Sequence, residues 1–204
     1  MTLTELSAGV RLLACLARVM PWRRFVPTLA ARWFGVVSFR FVEGVSKPLY
    51  RRRDRQLAYH LTQIWIANGT GVDVRGARVS MTWRRKSGGP MDGRTLTGLW
   101  YPGIASDLVT PAGQPTEETD LPSNAAMQHL GLMVRSPSNK AYMVCTGTYH
   151  DLGAWQDYQH PGYELRSGMY DVDVLLEGRD GMRGYLTLAV QWVGGDSHPI
   201  VTVR

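Results

Sequence analysis

His150, Asp151, Asp157 and His160 are the side chains best suited by type to chemistry, because imidazole nitrogens and carboxylate oxygens on one loop can gather a divalent metal ion. Their spacing fits no familiar framework. It has neither the i, i+4 histidine pair that sets two ligands on one helix face nor the paired ligands of a zinc finger. Trp155, Tyr158 and Tyr163 share this stretch and suit a packed lid or a partner-contact loop, since these rings carry a large apolar body with a polar tip. Glu117, Glu118 and Asp120 are candidates for acid-base work, but no histidine or nucleophile stands near them, which favours a solvated acidic loop. Gly69, Gly71 and Gly76 follow a strand-like run as phosphate-cradling glycines do. The spacing is not that of the dinucleotide fingerprint, and the residues after it alternate as a strand instead of opening the helix whose N-terminus holds phosphate. Neither a Gly-x-Ser-x-Gly nor a Walker sequence occurs. These observations assign no catalytic residue, no metal ligand and no cofactor, and they point away from an enzyme.

The elements that would position a site fall into two regions of opposite charge. Residues 1–60 hold eleven Lys or Arg against Glu5, Glu43 and Asp54, 11 − 3 = +8, and the remainder of the chain is 12 − 14 = −2. A basic arm on a slightly acidic body suggests a docking segment on a separate module rather than a uniformly basic nucleic-acid-binding fold. The arm is assigned to residues 1–55 and the body to 56–204.

Within the arm, Leu3 to Met20 has the pattern of a helix, with Thr4 as N-cap, Glu5 near the positive helix end and Pro21 beyond its last turn. It is too short and too charged for a membrane span, and Arg11 breaks the apolar run that a signal peptide needs. A second apolar segment runs from Thr28 to about Val45, interrupted by Arg32 and Arg40. An arginine near the bilayer centre costs about 2.5–3.5 kcal/mol, so lying in the interface is favoured over spanning. The residues expected to meet a membrane or another anionic surface are Trp22, Arg23, Arg24, Phe25, Trp33, Phe34, Arg51, Arg52, Arg53 and Arg55. Cys15 and Cys145 fall in unrelated segments and read as inert thiols.

The body reads as strands. Leu57–Trp83 is the organising stretch, two strands facing each other across glycine-rich turns: Tyr59 and Leu61 alternate with His60 and Thr62, Ile64 and Ile66 bracket Trp65, and Val79, Met81 and Trp83 alternate with Ser80 and Thr82. Each is expected to be half-buried. Further strands are expected at Thr95–Tyr101, Gln128–Val134, Ala141–Tyr149, Tyr170–Leu176, Leu186–Trp192 and Ile200–Val203, with a short one at Asp107–Thr110 and a long surface loop at Pro111–Asn124. About seven or eight strands with turns every ten or so residues predict a mainly β protein, an antiparallel sandwich carrying an N-terminal helical arm.

The turn Asn68-Gly69-Thr70-Gly71, entered through Ile64-Trp65-Ile66-Ala67 and left through Val72-Asp73-Val74-Arg75-Gly76-Ala77-Arg78-Val79, resembles the start of immunoglobulin-like adhesion and accessory sandwiches. The resemblance is one of fold and extends over residues 57–204; the Cys-Trp-Cys spacing of antibody domains is absent. It implies binding or spacing rather than catalysis. The expectation is a non-catalytic accessory subunit, membrane-associated at the cytoplasmic face, with a protein partner in a larger assembly and an anionic membrane surface as contacts. One alternative is a nucleoprotein subunit whose basic arm binds RNA or single-stranded DNA. A second is a metal-dependent enzyme using the His150–His160 loop.

Overall fold

The computed structural model describes residues 39–50, 57–88, 93–101, 115–123, 127–145 and 161–204, with backbone alone at 39–50, 57–58 and 161. Among the described residues twelve strands run in the order β1 (Phe39–Tyr50), β2 (Leu57–Asn68), β3 (Val74–Arg85), β4 (Arg94–Thr97), β5 (Trp100–Tyr101), β6 (Glu118–Leu121), β7 (Met127–Arg135), β8 (Ala141–Met143), β9 (Glu164–Leu165), β10 (Gly168–Glu177), β11 (Arg183–Trp192) and β12 (Ile200–Val203). They form two antiparallel sheets. One has the order β12-β11-β10-β3-β4, with β6 also on β3; the other has the order β1-β2-β7-β8-β9, with β5 also on β7. The first is called the open sheet below and the second the covered sheet, for reasons that follow from their outer faces.

A single core lies between the sheets, in the manner of a sandwich. The open sheet contributes Val79, Met81, Trp83, Val172, Val174, Leu188 and Val190, and the covered sheet contributes Ile64, Ile66, Leu130, Leu132 and Met143. β2 and β3 thus face each other across this core, in different sheets, and not as a hairpin. The Asn68 side chain shapes the turn between them: Nδ2 donates to the carbonyls of Val72 (2.7 Å) and Leu121 (2.9 Å), while Oδ1 accepts from the Thr70 amide (2.9 Å). Asn68 itself is buried.

The expected strand over Thr95–Tyr101 divides at Gly98-Leu99 into β4 on one sheet and β5 on the other. Here the chain crosses the sandwich. A side chain at Gly98 would press on Leu130 of the covered sheet and on Met81 of the open sheet, and the crossing is pinned by Trp100, whose buried indole Nε1 donates to the Ala77 carbonyl at 2.9 Å.

Three further differences from the sequence reading concern boundaries. The sheet begins at Phe39, inside the stretch assigned to the arm, because β1 pairs along the whole of β2. Among the described strands β1 has a pairing neighbour on one side only, an edge position at which Pro48 is tolerated. Pro111–Asn124, expected as loop throughout, contains β6, which pairs with β3 around a bulge at Arg75-Gly76. Gly76 takes the left-handed φ of +53° that such a bulge needs, and the stem of Arg179 lies where its Cβ would be. β8 is confined to Ala141–Met143, shorter than the expected Ala141–Tyr149. The strand expected at Asp107–Thr110 and residues 1–38 of the arm lie outside the described residues.

Candidate functional site

Alternation along a strand sends successive side chains to opposite faces, so the outer face of each sheet can be followed position by position. On the open sheet that face is polar. Asp173 pairs with Arg84 and accepts from Thr187, Asp171 pairs with Arg204, Glu177 pairs with Arg183, and Thr82 and Thr95 share a hydrogen bond. Tyr185 is 62% exposed on this side.

The outer face of the covered sheet is mainly apolar and mostly shielded from water, with Trp65 half-buried on it and Glu164 at its β9 edge, opposite Tyr142. Tyr59, Leu61, Val134, Tyr142 and Val144 are buried there, and none of them belongs to the core between the sheets. β2 was expected to be half-buried; instead both of its faces are buried. The register explains how: from Tyr59 onward β2 runs without a bulge of its own, so Tyr59, Leu61, Gln63 and Trp65 share the outer face while Thr62, Ile64 and Ile66 share the inner one. The extra residue falls on β7, and Leu132 and Met133, adjacent in sequence, both enter the core.

Polar atoms are set into the middle of this apolar face. Trp65 stands opposite His129 across β2 and β7, and their rings stack with centroids 5.2 Å apart and planes 14° from parallel. The next pair along is Gln63 and Gly131. Gly131 has to lack a side chain, because the Tyr101 ring and Val144 converge on the space above it. Gln63 is fully buried, and among the described residues neither its Nε2 nor its Oε1 has a hydrogen-bond partner; Trp65 Nε1 is buried in the same condition. A buried amide left in this state costs about 1–3 kcal/mol, a cost that sequence alternation alone gives no reason to expect. Gln63 escaped the sequence reading because an isolated glutamine in a strand is normally a surface residue.

No family model matches the chain, and neither a curated protein nor a solved structure does. The site therefore rests on its own geometry.

Two other clusters are structural in what they do. At one end of the sandwich the Arg135 guanidinium, with its side chain 9% exposed, donates to Asp196 (2.9 Å) and Asn139 (3.1 Å), tying the β7–β8 turn to the β11–β12 loop. His60 and His198 meet edge to face beside it, and burial, followed by the charges of Arg135 and His198, holds the His60 imidazole below its ordinary pKa. At the other end, a cleft of about 680 Å³ is lined by Arg75, Gly76, Glu118, Thr119, Asp120, Arg179 and Asp180. Burial would raise the Glu118 carboxyl, but hydrogen bonds from Arg179 and Arg78 outweigh it and hold the group below its usual range. Asp120 accepts from the Gly76 amide at 2.8 Å. Glu118 and Asp120 are thus tied into the β6 edge, where a solvated acidic loop was expected.

Of the residues chosen from sequence for partner contact, Tyr163 is described. It sits in a 3-10 turn, Pro161–Tyr163, half-buried against the core, with the Arg94 guanidinium over its ring at 4.4 Å and Arg94 also donating to the Gly162 carbonyl. This anchors it as packing. Trp155 and Tyr158, the His150–His160 loop, and Trp22, Arg23, Arg24, Phe25, Trp33, Phe34, Arg51, Arg52, Arg53 and Arg55 lie outside the described residues. Among the described residues no group of three metal-ligating side chains converges and no helix is long and apolar enough to cross a membrane; Cys145 is buried.

Proposed function

We propose that this protein is a non-catalytic interaction subunit, an immunoglobulin-like β-sandwich docked through its N-terminal arm to an anionic membrane surface or a larger membrane-associated assembly at the cytoplasmic face. The observation that carries this reading is the apolar outer face of the covered sheet, a second layer of Tyr59, Leu61, Val134, Tyr142 and Val144 beyond the core that the sandwich itself requires. A free-standing antiparallel sandwich keeps its outer faces polar, as the open sheet does. The covered sheet is built to hold something against it. Its edge strand β1 is the direct continuation of a segment in which Trp22, Phe25, Trp33 and Phe34 alternate with clusters of arginine, the composition that suits headgroup contact.

Flotation of the full-length protein with liposomes tests this. Anionic vesicles should carry the protein at modest salt, neutral vesicles should carry less, and neutralising Arg51, Arg52, Arg53 and Arg55 to Gln should reduce the anionic binding to the neutral level. A protein that ignores both kinds of vesicle and stays soluble without detergent or partner would contradict the membrane reading. Tight binding to single-stranded nucleic acid that weakens steeply with salt would transfer the arm to the nucleoprotein alternative.

A further inference from the structure

The strands at the margins of the two sheets differ in how they end the sheet. A margin strand presents unpaired N–H and C=O groups to any other extended chain, and charges, prolines and bulges are what keep such chains off. β1 carries Arg40, Glu43, Lys47 and Pro48, β4 carries Arg94, β6 pairs around a bulge and β9 carries Glu164. β12 has none of these. Ile200-Val201-Thr202-Val203 is β-branched throughout, pairs with β11 in unbroken register and leaves Ile200 59% and Val203 42% exposed. We infer that β12 is the seam of a homodimer, in which β12 of a second copy pairs with it antiparallel and joins the two open sheets into one. The pairing rests on β12 alone and goes beyond the docking role proposed above.

The hydrogen-bond phase of β12 carries the argument. Arg204, next in the register after Val203 and so opposite Thr187, donates to the Thr187 carbonyl at 3.0 Å. Ile200, Thr202 and Arg204 therefore turn their backbone groups toward β11, and Val201 and Val203 turn theirs away. Among the described strands β1 lies alongside β12 but pairs only with β2, which leaves those groups unused. A two-fold axis at Thr202 sets Val201 opposite Val203 of the second copy and Val203 opposite its Val201, and each pair exchanges both of its backbone hydrogen bonds. In that register Thr202 meets Thr202, a favourable cross-strand pair, Ile200 meets the stem of Arg204, and no two like charges are opposed. Asp171 holds the Arg204 guanidinium in each copy. A second copy thus meets every unused group of the edge, a match that an unrelated chain has no reason to make. A four-residue strand on each side is a small interface, so the dimer is reversible and of the micromolar kind.

Sedimentation of the full-length chain over a concentration series tests this. The protein should pass from monomer to dimer below about 100 µM. Val203→Pro removes an N–H that the sheet of the single chain does not use, and Val203→Lys places a charge on the edge. Each should leave the far-ultraviolet circular dichroism unchanged and weaken the dimer about tenfold or more. Thr202→Cys should form a disulfide with its own copy, read by mass spectrometry as a peptide joined to itself, because opposed residues of this kind lie about 4.5 Å apart between Cα atoms, within disulfide reach. Tyr185→Cys, exposed on the outer face of the same sheet, should not. A chain that stays monomeric at about 100 µM, a dimer that the folded Val203 variants leave intact, or a Thr202→Cys chain that fails to join to itself under oxidising conditions would overturn the inference.

Discussion

Along β10 the outward positions Asp171, Asp173 and Glu177 stay at the surface in ion pairs, while along β2 the outward positions Tyr59, Leu61 and Gln63 are buried. The two strands have the same pleat and each contributes its other face to the same core, so strand geometry cannot be the cause of the difference. Composition is. In β10 and its neighbour β11 the inward positions are apolar and the outward ones mostly polar, Leu175, Tyr185 and Ala189 excepted, so each strand has one wetter face and one dry one. β2 and β7 carry apolar residues on both parities, and such strands are stable only when both faces are covered. The polar sheet is therefore complete as it stands. The apolar one implies a further layer.

Charge placement should break this comparison most strongly. Leu61→Asp puts a carboxylate at a fully buried position on the covered face, and the expected loss of stability is about 3 kcal/mol, seen as a lower denaturation midpoint or insolubility. Gln191→Lys on the open sheet, at an exposed position, should stay within about 0.5 kcal/mol of the parent. Equal effects at the two positions would mean that the faces do not differ as described.

A smaller effect of opposite sign is expected at Gln63. Gln63→Met keeps nearly the same volume and removes two buried polar atoms that have no partner among the described residues, so stability should rise by about 1 kcal/mol in a denaturant titration. A loss of stability would show that the amide is satisfied in solution. A gain accompanied by loss of vesicle or partner binding would mark Gln63 as part of the docking surface.

The smallest expected effect is a pH dependence at the end of the sandwich that both sheets share. His60 titrates below its ordinary value of 6.5 when folded, so the unfolded chain takes up the proton first as the pH falls. Stability from this group is complete above the unfolded value and declines as the pH falls from there toward the folded pKa. Denaturant midpoints measured between about pH 7 and pH 5 should show that slope, and His60→Gln should flatten it.

The same contrast governs what could be read without coordinates. β10, β11 and the inner face of β3 were legible because period-two alternation against Asp, Thr and Arg has a single interpretation. β2 was misread as half-buried because its apolar residues change phase between Leu61 and Ile64, which in sequence is hard to separate from one alternating face. In the fold both phases are used, and the signal available was the near-continuous apolar run through Ile64-Trp65-Ile66-Ala67 and through Leu130 to Val134. β1 was absorbed into the arm because Phe39 to Val45 continues the apolar segment that starts at Thr28 and a run of arginines follows Tyr50, although Phe39 and Phe41 already alternate about Arg40. β6 was lost among prolines and acidic residues, since four residues held by pairing to β3 carry almost no local pattern. The pairing of Glu118 with Arg78 of β3 and Arg179 of the β10–β11 turn, and the isolation of the Gln63 amide, depend on contacts between remote segments and leave no local trace.

Hydroxyl-radical footprinting of the native full-length chain tests the difference between the faces most directly, because it reports side-chain exposure without any substitution. The account predicts that Tyr59 and Tyr142 on the covered sheet, 3% and 2% exposed, are protected until the protein unfolds, while Tyr185 and Met169 on the open sheet, 62% and 44% exposed, are modified at once. Modification of Tyr59 and Tyr142 at the rate of Tyr185 in folded protein would contradict it.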